Sequence, residues 1–269
     1  NTFRSSLVSS GSFQAIINDN YGTNTSASYF QLFFESGGNL LSLFSEEPFG
    51  SQLEYFQFVK TNIDIRKNFY IHRRQSIVTR FNIGIGVPYG DNRSLPYEKY
   101  FFAGGSNSIR AWKPRRLGPG AYGIINPDGS VNYDREQPGD VLIQSSVELR
   151  QSFDGFIDLA LFADFGNTWL LNSETVDPSL DPQGDDGVFR FNNFLNQMAV
   201  GVGYGFRFDL SFLIFRLDIG YQLIDPAQPR GQRWVGDQYN FFISSDKFPW
   251  FGFRPFKNAA INIGIGYPF

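Results

Sequence analysis

The sequence predicts an all-β fold, a transmembrane antiparallel β-barrel, and three observations carry that expectation. Apolar and polar residues alternate with period two over runs of about ten to fifteen residues. The polar positions of those runs hold Gly, Arg, Asp and Glu. The connections alternate between minimal turns and long loops. Strands of soluble sandwiches are usually about five or six residues long, whereas a tilted strand needs about 9–11 to cross a bilayer. Charged and glycine-rich inner faces suit a water-filled lumen better than the dry space between two sheets.

Taken in order, a weak strand falls within 3–17, and "SYFQLFFES" sets Phe30, Leu32 and Phe34 outward. "LEYFQFVKTNIDIR" places Leu53, Tyr55, Val59, Ile63 and Ile65 opposite Lys60, Asn62, Asp64 and Arg66. "SIVTRFNIGIGV" places Ile77, Phe81, Ile83, Ile85 and Val87 opposite Arg80, Asn82 and Gly84. In 141–153, Val141, Ile143, Val147, Leu149 and Phe153 oppose Gln144, Ser146, Glu148 and Arg150. In 155–171, Ile157, Leu159, Leu161, Phe165 and Trp169 oppose Asp158, Asp164 and Gly166. In 194–209, Val200, Val202, Tyr204 and Phe206 oppose Gly201, Gly203, Gly205 and Arg207. In 211–225, Leu213, Phe215, Leu217, Ile219 and Tyr221 oppose Arg216, Asp218, Gly220 and Gln222. The chain ends on 259–269, with Ile261, Ile263, Ile265, Tyr267 and Phe269 opposite Asn262, Gly264 and Gly266. Trp169 and Tyr267 stand near strand ends, as an interfacial aromatic girdle requires. No structure is assigned to 18–27 or 38–51.

The connections 153–155 and 209–211 are minimal, while 88–139, 172–193 and 226–258 are long, the rhythm of periplasmic turns and outer loops. Composition narrows the chemistry. The 269 residues include 31 phenylalanines, one histidine, no cysteine and a net charge of −3. A disulfide framework, a zinc site and a thiol enzyme are excluded, and a nucleic-acid binder is disfavoured. His72 lies in the polar run "YIHRRQ" and reads as a solvated turn residue rather than a catalytic base. Asp177, Asp181, Asp185 and Asp186 lack the spacing of an EF-hand and read as a solvated outer loop. No enzyme activity, metal or cofactor is expected.

One stretch inside 88–139 fits neither strand nor helix: "KYFFAGGSNSIRAWKPRRLGPGAY", Lys99 to Tyr122. "KYFFAGGSNSIRAW" resembles the sixth extracellular loop of the BamA/TamA superfamily of outer-membrane assembly proteins, where a glycine pair (Gly104, Gly105) precedes a Val/Ile-Arg-Gly-aromatic motif (Ile109, Arg110, Ala111, Trp112). "SSVELR" resembles the strand after that loop. "LFADFGN" resembles the Phe-x-Asp-x-Gly motif of the next strand, at Phe162, Asp164 and Gly166. "INIGIGYPF" resembles the last strand, and "RRLGPGAY" resembles the Bacteroidetes members. The chain departs from the motif at Ala111, where the family has glycine.

The resemblance implies a loop that folds back into the lumen and is locked there by Arg110 against Asp164 and Glu148. Parity independently puts both acids on the lumen face. Gly104 and Gly105 supply the sharp turn. The family barrel has sixteen strands, so the chain reads as its last eight or nine, with POTRA domains expected upstream. The implied function is insertion and folding of other outer-membrane proteins, or movement of substrates across that membrane, through a seam at the terminal strand. Gly264, Gly266 and Pro268 weaken packing and hydrogen bonding there. Implied partners are outer-membrane lipids, nascent β-barrel proteins and periplasmic or lipoprotein accessory subunits; no nucleic acid is implied. Two alternatives are a two-partner-secretion transporter and a passive porin-like channel. For topology, cysteines at Asp181 and Asn240 are expected to react with an impermeant thiol reagent on intact cells, and one at Gly155 is not. The reverse pattern would invert the assigned orientation.

Overall fold

In a computed structural model, residues 6–19, 26–39, 54–90, 92–127, 129–153, 156–172, 186–210, 212–238 and 259–268 are described. Nine strands form one antiparallel meander: β1 (Ser10–Asp19), β2 (Ala27–Gly37), β3 (Phe58–His72), β4 (Gln75–Pro88), β5 (Val141–Ser152), β6 (Ile157–Trp169), β7 (Ala199–Asp209), β8 (Ile214–Ile224) and β9 (Ala259–Ile265). Each pairs with its neighbour in sequence, and the sheet is open, with β1 and β9 at its edges. A separate two-residue parallel pairing joins Ser6–Leu7 to Glu54–Tyr55.

The predicted period holds through the sheet. Phe81, Ile83, Ile85, Val147, Leu149, Leu161, Ile261, Ile263 and Ile265 are exposed along the outer face. Asp64, Asn82, Gln144, Ser146, Glu148, Asp164, Arg207, Arg216, Asp218 and Asn262 are buried on the other. This is inverted relative to a soluble protein, in which charge faces water and carbon is buried. An outer face of carbon and an inner face of paired charge suit a sheet standing in lipid.

Several bounds differ from expectation for local reasons. The weak first strand is Ser10–Asp19 rather than part of 3–17, and it takes in two residues to which the sequence assigned no structure. β3 starts at Phe58 rather than Leu53, because the preceding Gln57 bonds to the loop beyond β4 instead. Its N–H donates to Asn92 Oδ1 at 2.7 Å, and its carbonyl accepts the Tyr89 N–H at 3.0 Å. β7 starts at Ala199 rather than 194, since Phe194–Gln197 forms a single 3-10 turn. Asn167 Nδ2 donates to the Gln197 carbonyl at 2.6 Å and fixes that turn.

Two aromatic assignments are corrected. Trp169 was expected in an exposed girdle, but it is 0% exposed. Phe189 and Phe194 lie edge-on against its ring, and its indole N–H donates to Gln197 Oε1 at 2.8 Å. Tyr267 was expected on the outer face of the last strand. That strand ends at Ile265, and Gly266 turns the chain with φ +77. Tyr267 therefore stands just past the strand rather than on it, still 40% exposed, with the Arg150 guanidinium 4.3 Å from its ring centroid.

The long connection between β4 and β5 packs against the sheet's inner face. Its base is closed by paired bonds between Phe101 and Gly139, at 2.8 and 2.9 Å. Phe101, Ala103, Ile109, Ala111, Trp112 and Leu117 of the loop make one apolar cluster with Leu142 of β5 and Ala199 of β7. The buried apolar core therefore lies between the loop and the strand wall, not between two sheets.

Candidate functional site

The loop's turn comes first, because it aims everything after it. Gly104 and Gly105 take φ +96 and +95, a left-handed conformation that costs other residues steric energy. A Cβ on Gly104 would stand 2.3 Å from the Lys113 carbonyl oxygen. The Gly105 N–H donates to the Trp112 carbonyl at 2.8 Å, and Ser108 Oγ accepts the Gly104 N–H at 3.2 Å. These bonds close residues 104–112 into a compact tip that presents Arg110 at its side.

Arg110 is 0% exposed and uses its whole donor fork. Nε donates to Asp164 Oδ2 at 2.9 Å, and Nη2 donates to Asp164 Oδ1 at 2.8 Å. Nη1 donates to Glu148 Oε2, and the backbone N–H adds a bond to Asp164 Oδ2 at 3.0 Å. Ser146 Oγ accepts from Nη2 at 3.2 Å and donates to Asp164 Oδ1 at 2.5 Å. The guanidinium carbon sits 3.5 Å from the centroid of the Phe162 ring, which walls it from below. Planar, bidentate and stacked contacts of this kind suit arginine and not lysine. Burial opposes the Arg110 charge, but Asp164, Glu148 and Asp218 more than reverse that and hold its pKa above the ordinary arginine value.

The wall continues the network. Arg207 and Arg216 are directly opposite each other on β7 and β8, an arrangement that is repulsive on its own. Asp218 separates the charges, with Arg207 Nη1 at 2.5 Å and Arg216 Nε at 3.1 Å. Glu148 also accepts from Arg207 Nη2 at 3.2 Å and from Arg150 Nε at 2.7 Å. Arg216 Nη2 then reaches the loop tip, donating to the Ser106 carbonyl at 3.1 Å and Asn107 Oδ1 at 3.0 Å. From the other side, Arg80 Nη1 donates to the Asn107 carbonyl at 2.7 Å while its Nη2 holds Asp64 at 2.7 Å. The tip is thus gripped from both β4 and β8.

Small wall residues make room for that grip. A Cβ on Gly220 would lie 2.7 Å from the Arg110 carbonyl oxygen, and one on Gly201 would lie 2.6 Å from the Ala111 methyl. The alanine that replaces the motif's glycine is therefore accommodated by a glycine on β7. Ile109 and Trp112 are buried in the apolar cluster on either side of Arg110. Gly166 pairs with Gln144, and a Cβ there would stand 2.6 Å from the Ile143 carbonyl oxygen of β5.

The terminal strand also touches the loop. Asn262 Nδ2 donates to the Arg110 carbonyl at 2.8 Å. A Cβ on Gly264 would come within 2.6 Å of Arg216 Nη2. Ile261, Ile263 and Ile265 face outward, away from these contacts. Phe269 lies outside the described residues, as do Asp177, Asp181 and Asp185.

The structure therefore brings together Arg110, Glu148 and Asp164 with Phe162, Gly104, Gly105, Ile109, Ala111 and Trp112. Sequence reasoning did not single out Arg80, Arg207, Arg216, Asp218, Ser146 or Asn262 as site residues. Parity placed all six on the lumen face. It is silent on height along each strand, and only register shows that Arg216 and Asp218 reach the loop and that Arg207 joins them.

Truncating one partner of a deeply buried ion pair leaves the other uncompensated, at a cost of about 3–5 kcal/mol. Arg110→Ala is therefore expected to lower the unfolding temperature on heat-modifiability gels and to expose 101–117 to protease. Arg110→Lys is expected to recover only part of the loss, because an ammonium cannot bridge both acids in one plane. Wild-type heat resistance in Arg110→Ala would show that these contacts contribute little.

Comparison with known proteins places the chain. Residues 9–266 match the family described as the Omp85 superfamily domain. The outer membrane protein assembly factor BamA of Neisseria meningitidis serogroup B (strain ATCC BAA-335 / MC58) is 26% identical over 125 residues, 45% of this chain and 15% of that protein. The crystal structure of BamA from Haemophilus ducreyi lacking POTRA domains 1-3 superposes with a TM-score of 0.54 at 17% identity, covering 78% of this chain and 38% of that one. CdiB from Acinetobacter baumannii gives a TM-score of 0.33 at 12% identity, over 81% of this chain and 40% of that one. The chain thus spans well under half the length of these relatives.

Proposed function

The chain belongs to the Omp85 superfamily, and from that premise we propose that it is the C-terminal part of an outer-membrane barrel that inserts and folds other β-barrel proteins through a seam at β9. The observation that carries this reading is the lumen loop fastened by Arg110 to Asp164 and Glu148, with the Arg110 carbonyl bonded in turn to Asn262 of β9. A passive pore has no use for a buried, charge-locked plug. A strand edge in lipid is costly when unpaired, so a terminal strand that releases its partner would strongly favour capture of an incoming strand. Nascent barrel proteins are the proposed substrates, with outer-membrane lipids and periplasmic or lipoprotein subunits as partners. The assembly-factor name of the Neisseria relative supports the same class of activity.

The test needs the full-length protein. A disulfide joining β9 to the first strand of the complete barrel is expected to stop assembly of client barrels while leaving membrane insertion of the protein itself intact. Reduction is expected to restore assembly. Full assembly activity with the bond closed would rule out a working seam.

A further inference from the structure

The outer end of β6 carries an apolar tongue that the lumen site does not use. Resting on the outer-membrane barrel reading above, we propose that Phe189–Leu195 is a membrane anchor set into the outer leaflet, with Arg190 and Arg230 meeting phosphate groups of anionic lipids there.

The tongue is built on Trp169, which shares the parity of the outward-facing Leu159, Leu161 and Phe165. Phe189 and Phe194 cover it, at 5.6 and 6.3 Å between ring centroids. Phe191 joins the same cluster, 5.9 Å from Phe189 and 5.8 Å from Phe194, yet it is 84% exposed, and Leu195 is 72% exposed. The frame beneath is fixed. Leu170 donates its N–H to the Gly187 carbonyl at 3.0 Å, Phe189 returns one to Leu170 at 2.8 Å, and a 3-10 turn follows at Phe194–Gln197. The exposed side chains are therefore held out from ordered backbone.

Position identifies what covers them. At the short-turn end of the same strands, Phe153, Phe156, Leu210 and Phe212 form a second exposed apolar set. The 13 residues of β6 separate the two sets. That is about 43 Å along the strand at ~3.3 Å per residue, or about 33 Å along the membrane normal at a tilt of ~40°. A hydrocarbon core is about 30 Å thick, so the two sets fall at its two boundaries. Amphipathic and aromatic side chains favour that depth, and the tongue stands at the end of the apolar face that Leu159, Leu161 and Phe165 present on β6, beyond the buried Asn167 and Trp169. Arginine borders it. Arg190 adjoins Phe191, Arg230 lies 3.9 Å from Asp186 with most of its side chain exposed, and Arg233 donates to the Asn196 carbonyl at 2.9 Å. Guanidinium groups bind phosphate through paired hydrogen bonds, which selects phosphorylated lipid over an uncharged surface.

These 269 residues hold no cysteine, so single labels are placed in the full-length protein with cysteines elsewhere in it replaced by serine. The full-length protein would be reconstituted in vesicles of zwitterionic phospholipid with or without an anionic phospholipid. An environment-sensitive fluorophore on Phe191→Cys or Leu195→Cys is expected to be quenched by nitroxides on the acyl chains and spared by aqueous iodide. A fluorophore on Leu161→Cys, a mid-strand outer position, is expected to behave the same way. Omitting the anionic lipid should weaken quenching severalfold at 191 but not at 161, and the double variant Arg190→Gln, Arg230→Gln should abolish that difference. Iodide access at 191 and 195 with 161 still quenched from the bilayer would overturn the anchor, leave the barrel reading intact and point to a surface for a protein partner. Iodide access at all three positions would overturn both. Equal quenching at 191 with and without anionic lipid would overturn the phosphate recognition.

Discussion

A guanidinium with no contact with solvent must find its compensation in protein, and Arg110 finds all of it on one wall. Its fork binds Asp164 and Glu148, its backbone N–H binds Asp164 again, and its face rests on Phe162. None of these groups is affordable alone in a site this dry. The loop cannot leave without stranding Asp164 and taking from Glu148 one of its three arginines, and the wall cannot shift register without unpairing Arg110. Loop and strands are thus mutually dependent, and the apolar cluster of Phe101, Ile109, Trp112, Leu117 and Leu142 forms only when both are in place.

The same contacts connect the loop to the end of the chain. Asn262 on β9 bonds to the Arg110 carbonyl, and Tyr267 lies beneath Arg150, itself paired to Glu148. Any movement that withdraws the loop must break the first of these contacts and disturb the partner of the second. Arg216 adds a third link, because it holds the loop tip from a place that only a glycine on β9 leaves open. Loop and terminal strand share one set of charges.

Much of this was legible in the sequence because period two is a strong physical constraint. A one-residue slip would turn Asp164 or Arg207 into lipid, so the pattern fixes faces as well as strands. The strands from Phe58 to Ile265 followed. What parity cannot give is height, and height is what groups Arg207, Arg216 and Asp218 with Arg110. Parity also fails where the backbone leaves the sheet. Trp169 has an outward position but is roofed by Phe189 and Phe194, and Gly266 turns Tyr267 against Arg150. The Ala111 departure could not be judged from one segment, because the glycine that accommodates it lies 90 residues later in the chain, at 201.

Amide hydrogen exchange on the full-length protein tests the loop's attachment most directly. Residue 110 donates its amide to Asp164 at 3.0 Å, and residue 105 donates to Trp112 at 2.8 Å. Peptides covering 104–112 are predicted to exchange as slowly as those from β6, and an Asp164→Asn variant is predicted to speed exchange in 104–112 well before it affects β6. Exchange in wild-type 104–112 as fast as in an unstructured peptide would contradict a loop held by the lumen wall.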